Sequence, residues 1–175
     1  MKKNILSILF VFIGTGFCSA QKQNTYLKMQ GAIEMPLGSF ARNFKSGNGL
    51  YVTGYRSISK KGSLLAGLGY AYWNKKDTLP KSPKAEMIPI QLGFNYTIYS
   101  NFYVEARSGL TILTGAIAKG TGINLDIGAG YLVKISEGFN IDLSAKFSYL
   151  NDLNRSSYSW IGIGAGWKIK FKKKS

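Results

Sequence analysis

The strongest constraint on the fold of this chain is an alternation of side-chain type with a period of two residues, repeated in segment after segment. In residues 88–96, one side carries Ile88, Ile90, Leu92, Phe94 and Tyr96. The other side carries Gln91, Gly93 and Asn95. Because successive side chains of a β-strand point to opposite faces, this pattern predicts a strand with two different faces. Residues 123–133 repeat it.

The composition of the polar face indicates which side of the sheet faces outward. It consists of Gly, Ser and Asn with a few charges, rather than the Lys, Glu and Thr of a face in contact with water. Large apolar side chains outside and small polar ones inside are typical of a membrane β-barrel. The alternative is a soluble lipocalin-like carrier, with its apolar rows turned inward around a ligand. The aromatic residues at the strand ends and the closing Phe171 argue against it.

The alternation divides the chain into eight predicted strands, at residues 26–35, 50–58, 63–73, 87–97, 102–113, 122–134, 139–150 and 158–171. The connections between them are alternately long and short, a pattern typical of outer-membrane barrels. Lipid offers no hydrogen-bond partner to a sheet edge, so the sheet must close. We therefore predict an all-β fold, an eight-stranded antiparallel up-and-down transmembrane β-barrel. An even strand number places both termini on the short-turn side, in the periplasm.

The beginning of the chain has the features of a secretory signal peptide. Two lysines precede an apolar stretch at residues 5–17, and small residues precede a cleavage site after Ala20. A lipoprotein signal with a lipidated Cys18 is the less favoured alternative. A retained helical anchor would need about 20 apolar residues. We expect residues 1–20 to be removed, which leaves residues 21–175 as one barrel domain without cysteine.

The chain is strongly basic, with 23 Lys and Arg against 8 Asp and Glu and a formal net charge of +15. One predicted loop contains four lysines: Lys75, Lys76, Lys81 and Lys84. A secreted protein has little access to nucleic acid, so we expect no nucleic-acid partner. Anionic lipid headgroups and the phosphates of lipopolysaccharide are the expected counterparts. The alternative is that these lysines only keep the ends of the barrel in water.

Aromatic residues lie near the strand ends on the apolar face. They are Tyr70 and Tyr72 at one end, and Tyr96, Phe102, Tyr131, Phe139, Trp167 and Phe171 at the other. Amphipathic rings favour the level of the lipid headgroups, so these residues predict two aromatic girdles. The alternative is the general abundance of aromatic residues in strands.

Two segments are less regular. In residues 50–58 either row could face lipid. We favour Tyr51, Thr53 and Tyr55 outside, because Arg56 would cost about 2–4 kcal/mol in lipid near the midplane. Pro89 removes a ladder hydrogen-bond donor, which predicts a position near the outer rim or at a bulge.

Seven charged residues fall on the polar face: Glu34, Glu105, Arg107, Asp126, Asp142, Lys146 and Lys168. Strand directions place Arg107 and Asp126 at mid-barrel. Asp126 can also approach Lys146, and Asp142 can approach Lys168. Charges in a narrow lumen must pair, and the side chains of an eight-stranded barrel fill its interior. We predict a charge-paired plug; a gate or narrow ion path, and a catalytic carboxylate pair, are less favoured.

The residue types argue against an enzyme. The chain has no histidine, so neither a Ser–His–acid triad nor a His-based zinc site can be assembled. Glycine runs at 67–69, 128–130 and 162–166 fall within strands and no helix follows them, so they lack the context of a phosphate-binding loop. We interpret them as inward-facing glycines that make room for opposing side chains. We expect no catalytic residue, metal or cofactor.

Three stretches carry a resemblance to a family. They are Met35 to Phe40 with the Gly47-Asn48-Gly49 run, Gly67-Leu68-Gly69-Tyr70, and Trp167-Lys168-Ile169-Lys170-Phe171. The chain resembles the small outer-membrane barrels of the OmpX and OmpA-transmembrane type, and more closely the outer-membrane β-barrel domain proteins of Bacteroidota. The ending, with Trp167, Ile169 and Phe171, is similar to the signal read by the barrel-assembly machinery. The tail at residues 172–175 departs from it, since such signals often end on the aromatic residue.

The patterns together predict a non-enzymatic integral outer-membrane protein with a structural or surface-interaction role. Its expected partners are outer-membrane lipid, lipopolysaccharide and, during biogenesis, the barrel-assembly machinery. A closed barrel has no free edge, so we expect a monomer. A narrow pore or a transporter of small hydrophobic solutes is the alternative, and a subunit role in a larger envelope complex fits the sequence equally well.

Overall fold

The computed structural model describes residues 24–76, 84–115, 120–153 and 156–171. Along the chain the elements are β1 Thr25–Leu37, α1 Gly38–Asn43, β2 Phe44–Ser57, β3 Gly62–Lys75, β4 Lys84–Thr97, β5 Phe102–Gly115, β6 Gly120–Ser136, β7 Phe139–Asp152 and β8 Ser157–Phe171. Each strand pairs antiparallel with the next, and β8 pairs back onto β1. The predicted fold, a closed eight-stranded up-and-down barrel, is confirmed. The predicted signal peptide, Lys81 and the tail at 172–175 lie outside the described residues.

The two ends of the barrel differ. At the terminal end, β1 starts and β8 finishes, and the connections 58–61, 98–101 and 137–138 are tight. Gly138 adopts a φ of 88° in the last of these turns, a conformation that favours glycine. The helix end carries α1 and the other three connections.

The first connection at the helix end is shorter than the predicted loop at 36–49. It consists of α1, and β2 already begins at Phe44. Gly47 and Gly49 enter the ladder opposite Trp73 and Ala71 of β3. A Cβ at Gly47 would overlap the Trp73 side chain and one at Gly49 would overlap Tyr51. These glycines therefore allow close packing inside the barrel, whereas the sequence pattern had indicated a loop.

On every strand except β2, the alternating rows take the predicted sides of the wall. Large apolar residues cover the exterior, for example Leu68 at 60% and Leu92 at 68% exposure. The Gly, Ser, Asn and charged row faces the lumen. The lipocalin-like alternative, which requires the opposite facing, is therefore wrong. Among the described residues, no helix has the length and hydropathy that crossing a membrane would require.

Strand β2 contradicts the facing we favoured. Tyr51 and Tyr55 point into the lumen and are buried, and Thr53 lies between them on the same row. Arg56 falls on the exterior row, but its register partner is Thr25, the first residue of β1. The midplane cost that favoured the opposite facing does not apply, because Arg56 lies at the terminal end of the wall.

Pro89 also departs from its prediction in part. It is buried on the inner row of β4, in the half of the strand nearer the helix end. The β3–β4 pairing is interrupted between Leu68–Ile90 and Ala71–Met87, where Pro89 has no N–H to donate. The register is the same on both sides of this gap, so the predicted bulge is absent at Pro89.

Inward-facing glycines create the space that the interior side chains occupy. A Cβ at Gly69 would overlap the Tyr51 ring, and one at Gly130 would overlap the Tyr103 ring. Both tyrosine rings therefore pack against the backbone of the wall, in space that any side chain larger than glycine would fill. This agrees with the interpretation of the glycine runs as packing positions within strands.

Candidate functional site in the barrel interior and at the rim

The interior near the helix end is an apolar layer. Its buried members are Ala32, Phe40, Phe44, Tyr51, Ala71, Trp73, Ala85, Met87, Leu113, Leu150 and Trp160. They come from α1 and from every strand except β6, because the inner rows converge where α1 covers the opening. Burial of these side chains removes apolar surface from contact with water and fixes the helix over the mouth of the barrel.

Phe40 of α1 is the centre of this layer. It is 2% exposed, and its ring centroid lies 5.0 Å from Phe44, 5.2 Å from Trp73 and 5.4 Å from Tyr158. Trp73 and Trp160 stack edge to face at 5.3 Å below it. Tilted and edge-to-face aromatic pairs each add roughly 0.5–1.5 kcal/mol beyond burial. The helix end of the lumen is therefore filled by packed rings.

One polar cluster of the interior is built on β5. Glu105 and Arg107 are two residues apart on the inner row, and their Oε1 and NH2 atoms are 2.7 Å apart. Arg107 also donates to the Tyr55 hydroxyl and to Thr53 Oγ1, both at 3.2 Å. The Tyr55 hydroxyl in turn donates to Glu105. The guanidinium and the carboxylate thus satisfy each other within a buried network that spans β2 and β5.

The second cluster lies nearer the terminal end. Lys28 of β1 and Asp142 of β7 form an ion pair at 2.7 Å with both side chains 1% exposed. The Tyr103 hydroxyl donates to Asp142 and accepts a hydrogen bond of 3.0 Å from Lys28. Breaking such a buried pair by removing one partner costs roughly 3–5 kcal/mol, because an uncompensated charge stays buried.

The third cluster joins β1, β2 and β7. The Lys146 ammonium lies 3.1 Å from Glu34 Oε1 and 3.7 Å from the centre of the Tyr51 ring. The Tyr51 hydroxyl donates to the same carboxylate at 2.6 Å. Asp126 is held differently, since its Oδ2 accepts a hydrogen bond of 2.7 Å from the Gln91 amide.

Lys168 of β8 is the exception among the interior charges. Its ammonium lies 4.1 Å from the Tyr55 ring centre, 5.2 Å from Tyr26 and 5.7 Å from Tyr103. Within the described part of the chain it has no carboxylate at ion-pair distance. The surrounding aromatic faces stabilise the cation, but they do not neutralise its charge.

The structure places all six residues of the predicted charge network inside the barrel, but with other partners than the strand directions indicated. Arg107 binds Glu105 instead of Asp126, Lys146 binds Glu34 instead of Asp126, and Asp142 binds Lys28 instead of Lys168. The sequence analysis missed Lys28 and the role of the tyrosines. Lys28 could have been found, since it shares the inner row of β1 with Glu34.

Cations also gather at the rim of the helix end. Lys75, Lys76 and Lys84 lie on adjacent strand ends there, and Lys81 belongs to the connection outside the described residues. The Lys76 ammonium donates to the Ala41 carbonyl, and that of Lys84 lies 4.9 Å over the Tyr72 ring. The exposed Arg42 and Lys45, which the sequence analysis did not single out, extend this basic rim across α1 and β2.

The aromatic residues of the predicted girdles lie on the exterior row of the wall. Tyr70 and Tyr72 occupy the helix end, with ring centroids 6.0 Å apart. Exposed rings at the terminal end are Tyr96, Phe102, Tyr131, Trp167 and Phe171. Phe102 and Tyr131 are register partners on β5 and β6. Ile169, between Trp167 and Phe171, also points outward.

The interior charges other than Lys168 form a hydrogen-bonded network, in which Glu34 Oε2, Arg107 Nε and Asp126 Oδ1 are buried without a partner of their own. The carboxylates of Glu34, Glu105, Asp126 and Asp142 face ammonium, guanidinium, amide or hydroxyl groups. No group of three His, Cys, Asp or Glu side chains suited to a metal occurs in the described ranges. The arrangement can hold the wall together and obstruct passage.

Comparison with known proteins places the fold among small outer-membrane barrels. No protein-family model matches the chain and no curated protein matches it, so the Bacteroidota family assignment has no support. Neisserial surface protein A is similar at a TM-score of 0.61 and 16% identity, over 86% of this chain and 100% of that one. The attachment invasion locus protein Ail of Yersinia pestis, in complex with the heparin analogue sucrose octasulfate, has a TM-score of 0.55 and 12% identity, over 85% and 100%.

A third similar structure is the outer-membrane protein AlkL in lipid bilayers. It has a TM-score of 0.55 and 11% identity, over 90% of this chain and 94% of that one. At such low identity these similarities establish the architecture, a small eight-stranded outer-membrane type of barrel.

The β5 cluster yields a test of which carboxylate compensates Arg107. We expect Glu105→Gln to lower the free energy of unfolding by roughly 3–5 kcal/mol, because it leaves the guanidinium buried without its ion partner. Asp126→Asn is the matched control on β6. It should lower the free energy of unfolding by less than half as much, because the Gln91 amide can still hydrogen-bond to the asparagine amide that replaces the carboxylate. Urea unfolding of the protein in lipid vesicles measures both. Equal costs would contradict the assignment of Glu105 as the partner.

Proposed function

We propose that this chain is an integral outer-membrane β-barrel with a structural or surface-interaction role and no enzymatic activity. The terminal end faces the periplasm, and the helix end with its basic rim faces the outside of the cell. The lumen is plugged by the paired charges and by the aromatic layer.

The observation that carries this proposal is the apolar exterior of the closed wall. Every strand exposes large apolar side chains, which form a continuous belt around the barrel; examples are Ile33, Leu64, Leu110, Ile127 and Ile163. Soluble monomers rarely expose contiguous apolar patches beyond a few hundred Å². A bilayer accommodates such a belt, and strands of 13 to 17 residues exceed the roughly 9–11 that a tilted strand needs to cross it.

Two further features support the location and the orientation. The similar structures are outer-membrane barrels, and one of them, AlkL, is described in lipid bilayers. In barrels of this architecture, the short turns lie in the periplasm and the longer loops outside. The tight turns of this chain share the terminal end with the start of β1 and the end of β8, which supports a periplasmic position for that end.

The membrane location is tested by heat modification. The mature chain refolded in detergent should migrate differently before and after boiling, because the closed barrel resists the detergent of the gel. Circular dichroism should show β-structure only when detergent or lipid is present. A β-rich monomer that is soluble without detergent would contradict the proposal and would direct the search to a small apolar ligand.

The plugged lumen distinguishes this proposal from a narrow pore. Phe40 and the two tryptophans below it close the helix end. Two ion pairs join β1 to β7 across the remaining interior, and a third lies on β5.

Planar-bilayer recording therefore should give no current steps above the protein-free membrane. A porin preparation in the same lipid provides the positive control. Reproducible unitary conductance of the wild-type barrel would establish the pore alternative.

The basic rim is the feature best suited to a partner at the cell surface. Lys84 stands over Tyr72 of the exterior Tyr70–Tyr72 pair, where lipid headgroups would lie, and Lys76 lies on the same rim against Ala41 of α1. Cations above an aromatic girdle suit the phosphates of lipopolysaccharide. The similar barrel Ail is described with a polysulfated sugar, which supports polyanion binding as a property that this architecture can carry.

Charge removal at the rim tests this partner. We expect the combined change of Lys75, Lys76, Lys81 and Lys84 to Gln to weaken binding of purified lipopolysaccharide in detergent. Each lysine near an anionic surface contributes about 1 kcal/mol, so the loss at low salt can reach about three orders of magnitude.

The matched control removes four lysines from the terminal half: Lys60, Lys61, Lys134 and Lys170 to Gln. It should leave binding unchanged, since these residues lie at the opposite end. Equal losses in both variants would show that net charge alone is responsible, and unchanged binding in the first would contradict the rim as the binding site.

A further inference from the structure

We propose that the terminal mouth of the barrel binds a small inorganic anion, such as chloride, at the ammonium group of Lys168. This site is independent of lipopolysaccharide binding at the opposite end. It follows from three properties of the surroundings of Lys168: its hydrogen-bond partners, its charged neighbours and the geometry of the mouth.

The three protons of the Lys168 ammonium lack protein acceptors. The side chain is 7% exposed, and its described contacts are the faces of Tyr26, Tyr55 and Tyr103. The hydroxyl of Tyr103 is occupied by Lys28 and Asp142. That of Tyr55 is occupied by Arg107 and Glu105. An ammonium without an acceptor is costly to bury. Lys168 Nζ is not among the fully enclosed polar atoms that lack a partner, so an acceptor from outside the chain can reach it at the mouth.

The charges around Lys168 favour an anion over a neutral acceptor. Its direct register partner on β1 is Lys28, a second buried cation on the same inner row. Like charges directly opposite each other in a sheet are destabilising. The nearest carboxylate of this cluster, Asp142, is already bound to Lys28 at 2.7 Å and to Tyr103.

The other interior carboxylates are also engaged elsewhere. Glu105 binds Arg107, and Glu34 binds Lys146. Asp126 lies opposite Arg107 in the β5–β6 register and accepts a hydrogen bond from Gln91. Two ammonium groups thus share one carboxylate at the terminal end, and the excess is one positive charge.

The geometry of the mouth suits a small ligand. Asn140 of β7 is the register partner of Lys168 on the other side, is half-buried and carries an amide that can donate a hydrogen bond. Lys170 follows Lys168 on the same inner row of β8, opposite Tyr26. The interior of an eight-stranded barrel is narrow, so an inorganic anion fits where a larger organic acid would not.

The test compares chloride with gluconate, an anion too large for the mouth, at constant ionic strength. The full chain is refolded in detergent micelles and its thermal midpoint is followed by circular dichroism. The thermal midpoint of the wild type should rise as chloride replaces gluconate. Once the site is saturated, the midpoint should continue to rise with the logarithm of the chloride concentration. Lys168→Met should abolish this dependence and unfold at a higher temperature than wild type in gluconate.

Lys61→Met is the matched control, because it removes the same charge from an exposed turn at the same end. It should retain the full chloride dependence. A wild-type midpoint that ignores chloride, or an equal dependence in Lys168→Met, would overturn the proposal.

A second measurement keeps the test decisive if Lys168→Met does not fold. Crystals of the wild-type protein grown in sodium bromide should show an anomalous peak within hydrogen-bond distance of Lys168 Nζ. Ordered density of a water there, without anomalous signal at saturating bromide, would refute the anion site.

Discussion

Closure of the sheet is the constraint on which the rest of the structure depends. Once β8 pairs with β1, every strand has two neighbours and no backbone edge stays open. The inner rows then share a narrow lumen, in which a large side chain needs a small one beside it. Tyr51 over Gly69 and Tyr103 over Gly130, register partners on neighbouring strands, are such pairs. Closure therefore selects both the inward glycines and the rings that lie against them.

The closed interior consists of two layers, one apolar and one of paired charges. Near the helix end, Phe40 and the tryptophans exclude water and pack as an ordinary apolar core. Nearer the terminal end, buried charges are tolerable only because each ion pair is supplemented by a tyrosine hydroxyl, as Tyr103 does for Asp142. A lumen filled in this way assigns the interaction with other molecules to the exterior and the two ends.

The two ends of the barrel use their positive charge differently. At the helix end, Lys76 and Lys84 stand on an exposed rim, Lys84 over the Tyr72 ring, where many weak contacts with a polyanion would add up. At the terminal end, Lys168 is buried among three tyrosines, and its single positive charge lacks an anionic partner. Both arrangements follow from the excess of basic residues. In the proposed rim contact and the proposed anion site, burial decides whether a surface or a single anion would be bound.

The sequence by itself determined the number of strands, their order and, on seven of the eight, which row faces outward, because a period of two is a local property of strand geometry. It did not determine the facing of β2, where both rows are of mixed character, or α1, whose Phe40 packs against Phe44 and against rings from the distant strands β3 and β8. Nor did it determine the ion partners, since Arg107 pairs with Glu105 on its own strand. Those choices depend on how far each strand is staggered around the barrel and on the reach of the side chains across it, which exist only after the sheet has closed.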